Sequence, residues 1–119
     1  MHELSICQSL LRQVEQIARH RGATLVSSIT VRIGPLSGVE ADLLQRIFPL
    51  ACRDTLAAGA ELIVEAMPVR VRCDLCSAET ETSPRRLRCG ACASSLTRLV
   101  SGDECLLASI EIVGHSGPQ

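Results

Sequence analysis

Cys73-Asp74-Leu75-Cys76, followed after twelve residues by Cys89-Gly90-Ala91-Cys92, is the stretch on which the fold of this chain turns. Each Cys-x-x-Cys pair presents two sulfurs from one tight turn. Two such pairs at this separation supply the four convergent thiolates that tetrahedral Zn(II) takes at bonds of ~2.3 Å. A thioredoxin-like redox pair accounts for Cys73 at the end of a strand-like run but leaves the second pair unexplained. The sequence offers no fifth player that would keep a coordination position open, so the expected ion is structural rather than catalytic. It stands in for a hydrophobic core that about thirty residues cannot build alone. Four thiolates around one divalent ion carry a net charge of about −2. Arg70, Arg72, Arg85, Arg86 and Arg88 lie beside the ligands in sequence and are expected to offset it. An ordinary solvated face and a partner-docking patch both remain open for them.

At 119 residues and 46% hydrophobic content, the chain can bury one modest core beside a metal-stapled module. A formal charge of −1 steers nothing toward phosphate, which argues against general nucleic-acid or membrane-surface binding. One Phe with no Tyr or Trp leaves almost no platform for stacking bases. Seven cysteines are an odd number, and Met1-His2-Glu3-Leu4 lacks the basic and apolar regions of a secretory signal. A reducing, cytoplasmic setting is therefore expected. No stretch approaches the ~20 apolar residues of a membrane span. Cys7, Cys52 and Cys105 sit in apolar neighbourhoods and read as small buried hydrophobes.

Working outward, Leu4, Cys7, Leu11, Val14 and Ala18 recur at helical spacing, which predicts an amphipathic helix from Leu4 to about His20, stopped by Gly22. His20 reads as a last-turn cation. Leu25 to Ile33 alternates as a half-buried strand ended by Gly34-Pro35. Ser37 with Glu40 has the form of a capping box for a second helix carried by Val39, Leu43, Leu44, Ile47, Leu50, Ala51 and Leu56. Pro49 inside that pattern predicts a kink or a break. Leu62, Val64 and Ala66 mark a second strand; Val69, Val71 and Cys73 mark a third that runs into the cysteine site. The polar segment Ser77 to Arg88 reads as a loop, and Leu96 to Val100 as a returning strand. From Leu106 both faces are nearly apolar, which predicts a last strand central in its sheet. Gly114 to Gln119, including His115, reads as a frayed tail. The fold class expected is α+β: two helices on a small, about three-stranded sheet, with an inserted four-cysteine zinc ribbon.

At the amino end, a free α-amine, the adjacent amide nitrogens and the His2 imidazole can close small chelate rings around one ion. Planar nitrogen ligands suit Ni(II) or Cu(II). On the residues alone, a terminal His without a ligand is favoured over such a chelate, and Glu3 reads equally as a first-turn anion favoured by the helix dipole.

Met1-His2-Glu3-Leu4-Ser5, Arg32-Ile33-Gly34-Pro35-Leu36-Ser37-Gly38-Val39-Glu40, Ala60-Glu61-Leu62, the double Cys-x-x-Cys and Gly102-Asp103-Glu104 occur in one order over nearly the whole chain. Together they resemble the HypA/HybF family of hydrogenase maturation factors, which deliver nickel. The resemblance implies a nickel-binding α/β domain of residues 1–68 plus 102–119 and a zinc-binding domain of residues 69–101. It implies Ni(II), as transient cargo, held by the Met1 amine, the His2 side chain and the backbone amides of His2 and Glu3. Cys73, Cys76, Cys89 and Cys92 become the Zn(II) ligands. The partners it implies are a HypB-type GTPase and the precursor of the [NiFe] hydrogenase large subunit; some members also serve urease. A metallochaperone of this kind is a carrier and not an enzyme. The alternative is a zinc-ribbon nucleic-acid or protein-docking module using Arg85-Arg86-Leu87-Arg88; a dithiol oxidoreductase is a third. Monomer and homodimer both stay open.

Overall fold

Leu10, Leu11, Val14 and Ala18 share one helix face, and in the structure, a computed structural model that describes residues 2–114, they form the buried face of α1 (His2–His20). The helix begins two residues before the expected Leu4, so His2 and Glu3 lie in its first turn. Its end follows the left-handed glycine rule. Gly22 has φ 67, its N–H reaches Arg19 O at 3.0 Å, and Ala23 N–H reaches Ala18 O at 2.9 Å.

After α1 come β1 (Leu25–Ile33), α2 (Ala41–Ala51), β2 (Glu61–Ala66), β3 (Arg70–Cys73), β4 (Glu79–Glu81), β5 (Thr97–Ser101) and β6 (Cys105–Val113). They form two three-stranded sheets, ordered β2-β1-β6 and β4-β3-β5. Met67 N–H donates to Ile33 O at 3.0 Å, so the ends of β2 and β1 meet and the two strands run parallel. Thr24 N–H donates to Val113 O (3.2 Å), and Gly34 N–H to Glu104 O (2.8 Å). The start of β1 therefore meets the end of β6, and that pair is antiparallel. In the second sheet β3 pairs antiparallel with both β4 and β5.

Expectations about three elements are corrected. The last strand is not central: β6 is an edge, and β1 takes the middle place. The apolar character of both faces of β6 is thus unexplained by burial between two strands. The segment Ser77 to Arg88 is not all loop, because Glu79–Glu81 pairs with β3. Glu-Thr-Glu has no apolar alternation from which a strand can be read. The second helix lacks the capping box: Glu40 is its N-cap without a side-chain cap bond, and Ser37 Oγ accepts instead from Val39 N–H at 3.1 Å. The helix passes through Pro49 and ends at Ala51, so Leu56 falls in the turns beyond it.

Residues 2–31, Glu40–Val64 and 107–114 make one compact unit; Arg32–Val39 and Glu65–Leu106 make another. The first buries Cys7, Val14, Val26, Ile29, Leu44 and Phe48, each large apolar side chain contributing ~1.5–3 kcal/mol of transfer free energy. Cys52 is buried with them, as expected, while Cys105 is only partly covered. The second unit closes on a backbone clamp. Leu36 N–H donates to Gly102 O at 2.7 Å, and Gly102 N–H donates to Glu104 Oε1 at 2.7 Å. A Cβ on Gly34 would lie 2.1 Å from Gly102 O, which explains why glycine stands there.

Gly34→Ala must push that backbone apart and should cost ~2–4 kcal/mol. Gly38→Ala meets nothing within 4 Å at φ 78 and should lose only the ~1 kcal/mol of a left-handed alanine. Denaturant midpoints of the two variants check the order.

Candidate metal centre

The sequence folds each Cys-x-x-Cys pair into the same turn. Cys73 Sγ accepts from Leu75 N–H (3.3 Å) and Cys76 N–H (3.4 Å). Cys89 Sγ accepts from Ala91 N–H (3.3 Å) and Cys92 N–H (3.4 Å). Each turn closes through a bond to its first cysteine: Ser77 N–H to Cys73 O (3.1 Å) and Ala93 N–H to Cys89 O (2.9 Å). Ser77 and Ala93 pay for this with left-handed backbones, φ 64 and 65. Two copies of one knuckle thus face each other.

The four sulfurs of Cys73, Cys76, Cys89 and Cys92 lie within 4.8 Å of one another. Cys73 and Cys92 are 3.5 Å apart, and Cys76 and Cys89 are 3.6 Å apart. Four ligands at ~2.3 Å from a tetrahedral ion are ~3.8 Å apart, so this donor set fits one such ion. Electrostatics make the same case. Backbone N–H groups of Cys92 and Ala91 draw the Cys89 thiol down to about 6, and those of Cys76 and Leu75 lower Cys73. At Cys92 the Ser94 N–H also pulls downward, but crowding by the neighbouring sulfurs, Cys73 first, prevails and pushes it up to about 12. Backbone donors thus favour the thiolate at Cys73 and Cys89, while sulfur crowding disfavours it at Cys92. A divalent cation between them removes that conflict.

Of the arginines expected to balance this charge, Arg70 and Arg72 lie 3.6 and 4.0 Å from the Glu79 carboxylate, and Arg85, Arg86 and Arg88 are exposed. Arg98 pairs with Asp74 inside the first knuckle at 3.1 Å. Thr80 of β4 is a support that sequence reading missed. Its Oγ1 accepts from Gly90 N–H at 2.8 Å and fixes the second knuckle.

The amino-terminal candidates are in the other unit. Met1 lies outside the described residues, as does His115. His2 is exposed; Glu3 beside it is only 3% exposed. Glu40 N–H donates to Glu3 Oε2 at 3.2 Å, which holds the Glu3 carboxyl below the usual carboxylate range. The same oxygen is 3.4 Å from His2 Nε2. Glu3 therefore ties the first turn of α1 to the N-cap of α2 and orients His2. Nothing in Met1-His2-Glu3 signals a partner 37 residues away. Cys7 and Cys52 stay out of both groups. Burial pushes the Cys52 thiol up to about 11, and the nearby Cys7 thiol adds to the rise.

A family model described as HypA, hydrogenase/urease nickel incorporation metallochaperone, matches residues 1–112. The hydrogenase maturation factor HypA of Nitrosospira multiformis is 48% identical over 113 residues, covering 95% of this chain and 98% of that protein. The hydrogenase maturation factor HybF of Klebsiella pneumoniae is 34% identical, covering 93% and 98%. Among solved structures, the solution structure of the Ni metallochaperone HypA from Helicobacter pylori superposes with TM-score 0.73 at 26% identity, covering 97% of this chain and all of that one.

Relief of the left-handed φ at Ala93 gives a direct check on the knuckle. Ala93→Gly should stabilise the metal-loaded protein by ~1 kcal/mol in a denaturant titration. A second check uses pH. Because folding raises Cys52 above its usual 9.0, its stability contribution is complete below pH 9 and is lost as pH climbs toward about 11. Denaturation midpoints should fall through that window, and Cys52→Ser should lack this component of the fall.

Proposed function

The chain belongs to the HypA family of hydrogenase/urease nickel-incorporation metallochaperones, and on that premise we propose that it carries Ni(II) at its amino terminus. The cargo is delivered to the precursor of the [NiFe] hydrogenase large subunit. A HypB-type GTPase shares in the hand-over, and urease maturation is a second outlet. The work is done in the cytoplasm, by ligand exchange and without catalysis. Among the described residues no helix is long and apolar enough to cross a membrane.

The observation that carries this reading is the placement of His2 and Glu3 in the first turn of α1. Amides there precede the first i→i−4 bond, so a metal that takes them breaks no bond of the helix ladder. The Met1 amine, the amide nitrogens of His2 and Glu3 and the His2 imidazole then supply the planar nitrogen set that suits Ni(II). A cation at a helix N-terminus is opposed by the helix dipole. The Glu3 carboxylate, buried and ionised beside His2, offsets that field. Exposure of the imidazole leaves the cargo open to a competing ligand on a partner, which is what release requires.

The four cysteines hold Zn(II) as a resident structural ion, which supplies cross-linking between the two knuckles. Residues 69–101 form the zinc domain; residues 1–68 with 102–119 form the nickel domain. In the zinc domain the backbone donors at Cys73 and Cys89 keep two sulfurs ready to ligate. Thr80 and Asp74 keep the turns in place.

Titration of zinc-loaded protein with Ni(II) tests the assignment. An authentic amino terminus should bind one equivalent with the absorption of planar nickel. One additional residue before Met1 should abolish or alter that spectrum, as should His2→Ala. Identical binding by native and extended forms would defeat the amino-terminal site.

A further inference from the structure

Arg85, Arg86 and Arg88 are exposed, and none of them makes an ion pair with a described residue, in contrast to Arg70, Arg72 and Arg98 of the same ribbon. Their backbone is nevertheless fastened. Pro84 fixes one φ of the loop. Ser83 Oγ accepts from Arg85 N–H at 3.2 Å, and Ser83 O accepts from Arg86 N–H at 3.0 Å. Arg86 O accepts from both Thr82 Oγ1 and Arg88 N–H. Thr97 Oγ1 donates to Leu87 O at 2.8 Å and ties the loop to β5. Charge that serves only solvation needs no such fastening. A recognition loop gains from it, because less freedom is lost when a partner binds.

Exposed leucines gather at the same place. Leu75, within the first knuckle, is 67% exposed, Leu96 57% and Leu87 39%. Asp74 N–H donates to Leu96 O at 2.8 Å, which brings the first knuckle beside Leu96. The bond from Thr97 to Leu87 sets the arginine loop beside the next residue of that segment. A single exposed leucine is ordinary. Leucines brought together from three segments and bordered by unpaired arginines form an apolar surface with a cationic rim, which is the anatomy of a protein contact.

We propose that this part of the ribbon is a docking surface for an acidic, leucine-bearing polypeptide segment of another protein. Its carboxylates meet Arg85, Arg86 and Arg88, and its apolar side chains cover Leu75, Leu87 and Leu96. The chemistry selects that occupant. Guanidinium groups pair with phosphate as well as with carboxylate, but leucines offer nothing to a phosphodiester chain. The one Phe of the chain, Phe48, is buried in the other unit, so no ring is present on which a base could stack. A surface of anionic lipid would meet Asp74 next to Leu75, and Glu79 and Glu81 exposed on β4, and be repelled there. A polypeptide can set its carboxylates opposite the loop arginines alone. Neither His2 nor the amino terminus belongs to this surface.

The experiment follows the fluorescence anisotropy of a short labelled peptide of glutamate and leucine as zinc-loaded full chain, free of nickel, is added. The native chain should bind it, less tightly as salt rises. Arg85→Ala, Arg86→Ala and Arg88→Ala combined should weaken binding about tenfold or more, and the same three positions changed to Lys should keep most of it. Leu75→Ser with Leu96→Ser should weaken it while leaving the salt dependence unchanged. All of these side chains are exposed, so zinc content and circular dichroism should stay native and are measured on every variant. A peptide with lysine in place of glutamate, added to the native chain, reads the same charge preference without any substitution and should not bind. Absence of binding at low salt would overturn the proposal, as would equal binding of the lysine peptide or binding that ignores the arginine and leucine variants. Tighter binding of single-stranded DNA, or of vesicles of phosphatidylserine and phosphatidylcholine, would overturn it by assigning the arginines to phosphate.

Discussion

Four sulfurs within 4.8 Å of one another cannot all ionise without a cation among them, and the ribbon built around them depends on that constraint. Its strands are short: four residues in β3, three in β4 and five in β5. Its buried apolar side chains include Val69 and Val71, too little to hold so short a sheet by hydrophobic burial alone. The knuckle backbone is arranged accordingly. N–H groups aimed at Cys73 and Cys89 favour the thiolates, and two residues accept left-handed conformations so that the turns close.

The helical unit stands on different physics. Its core is assembled from the apolar faces of α1, α2 and β1, and among the described residues its one buried charged group is the Glu3 carboxylate. A buried anion requires donors, and Glu3 finds one at the N-cap of α2, where a helix lacks internal partners for its first amides. One side chain thereby serves two ends. It caps α2, whose own N-cap residue makes no side-chain cap bond, and it holds an ionised oxygen 3.4 Å from the His2 imidazole. The Ni(II) site proposed at this end needs an anchor of this kind, because terminal residues are otherwise the least ordered of a domain.

The residues that misled sequence reading did so for identifiable reasons. β6 is apolar on both faces, which is the pattern of a strand with neighbours on both sides. The sheet instead ends there, and the apolar residues border an open groove. β4 is polar because its contribution is made by backbone pairing with β3 and by the Thr80 hydroxyl, neither of which leaves a hydropathy signal. Ser37 has the spacing of a capping box, yet its hydroxyl closes a turn at Val39, and the helix starts later, at Ala41. Each is a case of tertiary pairing deciding among local options that the chain leaves nearly equal.

The sequence by itself determined the four-cysteine centre, the two helices and the main strands, because these depend on spacing along the chain, and its ordered motifs carried the resemblance to the family. Cys-x-x-Cys is a local turn, and helix and strand periods repeat within a few residues. Only the tertiary structure decided that β1 is central and β6 an edge, that Glu3 meets Glu40, and that Gly34 lies against Gly102. Those facts rest on which distant segments come together, and strand order, register and buried polar pairing carry no periodic mark in the residues that make them.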